Sequence, residues 1–166
     1  MKGLYVPFWL HSFKDSAHAI VDCENTKSRR RGDDKIITHY MYKVHMDSTG
    51  TFDKIPTDAL SKMDNELMDA IEPFDYNHLE DFNPAFMAGF YAEEKNESSD
   101  DNFERAHERA TDTMHKCILH EAGNYQTKRI VSYDDNTNDY KSNYVMLPVW
   151  LFTTEYKDKK YTFAIN

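Results

Sequence analysis

The stretch YVPFWL, residues Tyr5–Leu10, is apolar on both faces and rich in residues that favour β-strands. Pro7 removes one backbone donor, which predicts a strand at a sheet edge or at a bulge. Near the other end of the chain, Pro148–Leu151 (PVWL) matches Pro7–Leu10 (PFWL) as P-x-W-L. The match has two interpretations that the sequence leaves open. The two P-x-W-L strands are either a duplicated hairpin, in which they lie near each other in one sheet, or a chance similarity of two apolar strands.

Alternating apolar and polar residues predict further strands on both sides of the middle of the chain. The clearest run is 36–46, and the turn signal Asp47–Gly50 predicts a hairpin with 51–55 as its second strand. The C-terminal part predicts strands at 125–133, 140–153 and 161–165, with polar linkers at 134–139 and 155–160.

Helical spacing marks the middle of the chain. A first helix is predicted from apolar residues that recur before Pro73, namely Leu60, Met63, Leu67 and Ile71. A second, stronger helix is predicted after Ser98 and Asp101, which can form a capping box. Its apolar stripe includes Phe103, His107, Ala110, Met114, Cys117 and Ile118. The sequence therefore predicts an α+β domain: a mainly antiparallel sheet from N- and C-terminal strands, with a helical acidic insertion between them.

The chain has the size of one domain, residues 1–166, and its 40% hydrophobic content is enough to form a core. Fourteen acidic and three basic residues between Asp53 and Asp101 give that stretch a net charge of −11, against −9 for the whole chain. Such a field repels phosphate backbones, so nucleic acid is not the expected partner of the domain as a whole. Cys23 and Cys117 are interpreted as two buried thiols in a reducing compartment.

The sequence lacks the common motifs of nucleotide-binding, hydrolase and zinc sites. The chain contains no G-x-x-x-x-G-K-[ST], G-x-G-x-x-G, G-x-S-x-G or C-x-x-C. Asp134, Asn136 and Asn138 have the spacing of the first three calcium-loop ligands, but Asp139 stands where the loop needs Gly and Val145 where it needs Glu. We therefore predict a polar linker there, and no catalytic residue, cofactor site or metal ligand in this chain.

Two surfaces are candidates for binding. The acidic middle predicts an interaction surface for a protein or peptide, formed by Phe74, Asp75, Tyr76, His78, Phe86 and Tyr91. The alternative is a nucleic-acid accessory role for the basic loop 27–35, with anion contacts from Lys27, Arg29, Arg30 and Arg31. A third hypothesis is an enzyme in which Asp75 and His78 share a proton. A non-enzymatic interaction module is the leading prediction.

Three segments, Tyr5–Leu10, Met63–Tyr76 and Leu147–Leu151, together resemble an uncharacterised family of low-GC Gram-positive bacteria. Its members are described as zinc-ribbon-containing proteins of the transcription-factor-B type. The resemblance implies that this chain is a fragment of a longer protein that follows a zinc ribbon, and that zinc belongs to that ribbon alone. It also implies a cytoplasmic domain, tethered to a membrane only through a hydrophobic segment outside this chain. It supplies no activity.

Overall fold

The computed structural model describes residues 2–157 and 159–166. The elements in chain order are β1 Lys2–Arg31, β2 Asp34–Asp58, α1 Asn65–Ala70, β3 Tyr91–Ala92, α2 Ser99–Glu121, β4 Thr127–Tyr156 and β5 Lys159–Ile165. Two 3-10 helices, Tyr76–His78 and Pro84–Met87, lie between α1 and β3. The strand order is β2-β1-β4-β5, and β3 pairs in parallel with the start of β1.

The chain divides into two compact units. The first unit contains the residues up to His11 together with 53–106 and 141–166, and the second contains 12–52 and 107–140. Each of the long strands β1, β2 and β4, and also α2, contributes residues to both units.

The core of the first unit is built from the two ends of the chain and from α1. Its buried side chains are Val6, Phe8, Leu60, Met68, Ile71, Leu147 and Val149. Both P-x-W-L segments contribute to this unit, and the strands that carry them, β1 and β4, are neighbours in the sheet order. Their origin as a duplicated hairpin stays a prediction.

The second unit buries one face of β1 against α2. Along β1, every odd-numbered residue from Phe13 to Cys23 is buried, as the period of two in a strand requires. On α2 the buried row is Ala110, Met114 and Ile118. Cys117 is exposed, so the prediction of two buried thiols is correct for Cys23 and wrong for Cys117. Ala110, Met114 and Ile118 are spaced by four residues, so they share one buried face of the helix. Position 117 breaks this spacing and lies outside that face.

The strands are longer than the sequence predicted. The predicted turn Asp47–Gly50 lies inside β2, and the predicted linker 134–139 lies inside β4. Both segments are polar, but the sheet supplies partners for their side chains: His18 Nδ1 lies 2.7 Å from Asp47 Oδ1, and Lys14 Nζ donates to Asp139 Oδ2 at 2.7 Å. The turn that does form is Gly32-Asp33, where Gly32 has φ +64, a conformation that suits glycine.

Helices form a smaller part of the middle than predicted. The run from Leu60 to Ile71 yields only the six-residue α1, which begins at the Asp64 cap. The long helix α2 is confirmed, and its capping box is formed: Asp101 N–H donates to Ser98 Oγ at 3.2 Å, and Ser98 N–H donates to Asp101 Oδ2 at 3.2 Å. The fold is therefore rich in sheet and only partly fits the α+β prediction. Within the described residues, no helix is both long and apolar enough to cross a membrane.

Candidate functional site

The predicted interaction surface separates into anchors and exposed residues. Phe74 and Tyr76 are partly buried and pack against the core of the first unit, where the Phe74 ring meets the Phe8 ring at a centroid distance of 5.4 Å. Their role in the fold is therefore to fix the segment to the core. The remaining predicted residues of this surface are exposed, namely Asp75, His78, Phe86 and Tyr91.

Asp75 and His78 lie next to each other on the surface. His78 Nε2 is 3.4 Å from Asp75 Oδ2, and the His78 side chain is 85% exposed. Asp75 also caps the following 3-10 helix, because its Oδ1 accepts a hydrogen bond from Asn77 N–H at 3.0 Å. An exposed pair of this kind is typical of a helix cap, and catalysis by Asp75 and His78 stays a prediction.

Sequence reasoning missed two exposed apolar residues in the same part of the chain. Phe82 is 69% exposed and Leu79 is also exposed, so that Leu79–Tyr91 carries several large apolar side chains in water. We call Leu79–Tyr91 the aromatic segment. The signal available in the sequence was the acidic composition around these residues, which argues against a buried position for Phe82.

The basic residues lie at the tip of the β1–β2 hairpin. Lys27, Arg29, Arg30, Arg31 and Lys35 are all exposed. The two-residue turn sets a register that places Arg30 opposite Lys35, and the contact of Asp22 with Lys43 farther along the hairpin follows the same register. Gln126, just before β4, bonds to Thr26, so the residues beyond Thr26 extend past the start of β4.

A third group of side chains converges in the second unit. His107 Nε2 on α2 lies 3.2 Å from Asp15 Oδ2 on β1 and 2.9 Å from Asp135 Oδ2 on β4. One possible ligand atom from each of the three residues falls within 4.8 Å of the other two. The Asp15 side chain is fully buried, while His107 and Asp135 keep 27% and 26% of their side-chain surface exposed. We call these three residues the Asp–His–Asp cluster.

Neighbouring side chains hold the Asp–His–Asp cluster in place. Thr137 Oγ1 donates to Asp15 Oδ1 at 2.6 Å, and the Phe13 ring lies beside the His107 ring at 6.1 Å. Burial, followed by the charges of Asp135 and Asp15, raises the pKa of Tyr133. The phenol of Tyr133 is therefore close enough to interact electrostatically with both carboxylates.

No sequence motif marks this cluster, because its members are far apart along the chain. His107 belongs to the predicted apolar stripe of α2, and the calcium-like spacing covers Asp134, Asn136 and Asn138 but not Asp135. Positions 134, 136 and 138 are exposed, whereas 135 lies on the other, partly buried side of β4. One signal was present: Asp15 is a carboxylate in the apolar alternation of Phe13, Ala17, Ala19 and Val21.

Comparison with known proteins finds a similarity to an uncharacterised bacterial protein. The chain is 30% identical over 164 residues to "Uncharacterized protein YdjG" of Bacillus subtilis (strain 168). The alignment covers 99% of this chain and 48% of that protein, so the chain spans about half the length of the relative it matches. No protein-family model matches the chain, and no solved structure matches it. The similarity supports a relationship to an uncharacterised bacterial family.

Proposed function

We propose that this chain is a non-enzymatic interaction module whose aromatic segment, Leu79–Tyr91, binds a protein or peptide. The observation that carries the proposal is the exposure of large apolar side chains on one short segment, with Phe82 at 69% and Tyr91 at 66%. Aromatic residues that are exposed together are enriched where proteins meet partners, since their burial releases ordered water over a large area.

The negative charge around the aromatic segment indicates which kind of partner surface can bind there. The aromatic segment lies in the stretch 53–101, which carries a net charge of −11, and Glu80, Asp81, Glu93 and Glu94 lie within or beside it. This field attracts a basic surface and repels an anionic one. The partner that fits is therefore a protein or peptide with an apolar groove and basic residues at its rim.

A photoreactive amino acid at position 82 of this chain, with the protein expressed in its native host, tests this proposal. We expect a discrete cross-linked product from position 82 and none from position 41, because Met41 is at least as exposed, at 75%, but lies on β2. The product should disappear in a Phe86→Ser/Tyr91→Ser variant, and also in a Glu80→Lys/Asp81→Lys variant. Equal products from positions 82 and 41, or none from 82, would contradict the proposal.

The tip of the β1–β2 hairpin supports a second candidate, an accessory contact with nucleic acid. Two like charges opposite each other, as Arg30 and Lys35 are, destabilise a hairpin unless an anion lies between them. An aromatic ring is also present on the same hairpin, since Lys27 Nζ lies 5.6 Å from the centroid of the Tyr40 ring. These features favour a phosphate contact at the tip.

Salt dependence separates this candidate from the first. Binding of labelled single- or double-stranded nucleic acid should weaken steeply as salt rises, and the slope should become shallower in Arg29→Ala/Arg30→Ala. Lys62→Ala/Lys95→Ala, in the first unit, serves as the charge-matched control. No binding at low salt would remove this candidate.

We also propose, from the family resemblance, that the module belongs to a zinc-ribbon protein. In that setting it is a cytoplasmic domain, held at a membrane through another part of the protein. Zinc analysis of the full-length protein tests the first point, and fractionation of cells tests the second. Full-length protein whose zinc content does not exceed that of this chain would contradict the assignment.

A further inference from the structure

The Asp–His–Asp cluster has the composition and the spacing of a metal site. We propose that Asp15, His107 and Asp135 bind one divalent ion of the first transition row, with Zn²⁺ and Mn²⁺ as the representative cases. Two carboxylates and one imidazole supply oxygen and nitrogen ligands together, a set that suits these ions better than Mg²⁺ or Ca²⁺, which prefer oxygen alone.

The distances fit an ion at the centre of the cluster. Metal–ligand bonds of about 2.1 Å place neighbouring ligand atoms about 3.0 Å apart in octahedral geometry and about 3.4 Å apart in tetrahedral geometry. The observed separations from His107 Nε2 are 2.9 Å to Asp135 Oδ2 and 3.2 Å to Asp15 Oδ2. Both separations from His107 Nε2 thus already match ligand spacing, and the two carboxylate oxygens lie within 4.8 Å of each other.

Burial gives an independent reason for a ligand. The Asp15 side chain is fully buried, and its Oδ2 accepts no hydrogen bond from the residues that the structure describes. Its other oxygen is held by Thr137, so Oδ2 is turned toward His107. A buried carboxylate oxygen that accepts no hydrogen bond raises the free energy of the folded state. A bound cation would compensate that oxygen and remove this penalty.

Charge also favours a divalent ion. The ionised carboxylates of Asp15 and Asp135 place two negative charges within 4.8 Å of each other, and a divalent ion balances both while it contacts all three ligand atoms. The surroundings complete the site, because Thr137 and the Phe13 ring orient two of the ligands from the second layer.

The site is open to solvent on one side. His107 and Asp135 each expose about a quarter of their side-chain surface, 27% and 26%, so water can complete the coordination and the ion can enter. Three protein ligands with an open position is an arrangement that exchanges its metal more readily than a closed four-ligand site.

Titration of metal-free protein with Zn²⁺ and Mn²⁺ tests the proposal. The whole chain is treated with a chelator, dialysed and titrated by calorimetry, and Co²⁺ is added separately to read its visible absorption. We expect one saturable site, weakened at least about tenfold in Asp135→Asn. The absorption spectrum of Co²⁺ bound to this site should be lost in the same variant.

A matched control separates this site from ordinary surface binding. His18 and Asp47 form an exposed pair in the same unit, with 2.7 Å between Nδ1 and Oδ1 and no role in the cluster. Asp47→Asn should bind metal like the unchanged protein. Asp135 is partly exposed, so Asp135→Asn is expected to fold, and circular dichroism checks this; His107→Asn is the second variant. Absence of a saturable site, or equal binding by Asp135→Asn and the unchanged protein, would overturn the proposal.

Discussion

Arg105 on α2 holds the buried carboxylate of Asp58, with Nη1 2.8 Å from Oδ1. The second guanidinium nitrogen of Arg105 binds Asp69, beside the C-terminal end of α1. Burial works against the charged guanidinium, but the hydrogen bonds that Arg105 donates to Asp58 and Asp69 outweigh it and raise the pKa of Arg105. One side chain therefore ties α2 to α1 and to the end of β2 within the first unit.

Removal of this side chain should destabilise the protein strongly. Arg105→Ala leaves the fully buried Asp58 carboxylate without its cation, and such a loss costs about 3–5 kcal/mol of unfolding free energy. Urea unfolding monitored by circular dichroism measures the change. Arg129→Ala is the control, since Arg129 is largely exposed and pairs with Asp22 at 3.7 Å. It should change stability by less than about 0.5 kcal/mol. Equal effects of the two variants would contradict the assignment.

His11 makes stability depend on pH. Its ring is fully buried, Nε2 lies 2.9 Å from Thr57 Oγ1, and burial lowers its pKa from 6.5 to about 4. Between these values the unfolded chain binds a proton that the folded chain does not. The contribution of neutral His11 is therefore fully present above about pH 6.5 and is lost as the pH falls toward 4, by up to about 3 kcal/mol.

The variant His11→Gln tests this dependence, because glutamine stays neutral and can still form a hydrogen bond with Thr57. Between about pH 7 and about pH 4.5, the fall in unfolding free energy should be smaller in His11→Gln than in the unchanged protein by about 2 kcal/mol. The exposed His78→Gln should leave the fall unchanged. Identical pH profiles for His11→Gln and the unchanged protein would show that His11 is not the responsible group.

A side chain at Gly50 would crowd two neighbouring side chains, which would have to shift. A Cβ at this position would lie 2.8 Å from Met114 Sδ and 2.8 Å from Phe52 Cε2. Overpacking costs about 1–3 kcal/mol, more than the 0.4–1 kcal/mol or so that alanine gains by restricting the unfolded chain. Gly50→Ala should therefore destabilise the protein by about 1 kcal/mol. In a Met114→Ala background the cost should shrink, and an unchanged cost would contradict the predicted clash.

The capping box of α2 is the fourth test. Ser98→Ala removes the hydroxyl that accepts from Asp101 N–H, and it should cost about 1 kcal/mol of unfolding free energy. Ser98→Thr keeps the hydroxyl, so its unfolding free energy should stay close to that of the unchanged protein. The hydrogen bonds from Ser98 lower the pKa of Asp101. The part of the cap that depends on the carboxylate is thus present at neutral pH and is lost as the pH falls through that lowered pKa. Equal stability of Ser98→Ala and Ser98→Thr would argue against the cap.

Sequence reasoning worked where the signal is local. The capping box at Ser98 and Asp101 and the helix behind it depend on residues within a few positions of each other, and both are confirmed. It failed where polar composition was interpreted as a break. The segments 47–50 and 134–139 have the residues of turns, yet each continues a strand, because His18 and Lys14 on the neighbouring strand β1 pair with the carboxylates of Asp47 and Asp139.

The sequence by itself determined the strand-forming ends, the long capped helix, the acidic middle and the basic run that becomes the hairpin tip. Each of these follows from side-chain periodicity or charge along a short stretch of chain. Only the tertiary structure decided that Asp15, His107 and Asp135 meet, because their approach depends on the pairing of β1 with β4 and on the packing of α2 within the second unit. Contacts between distant residues have no period in the sequence, so only packing reveals them.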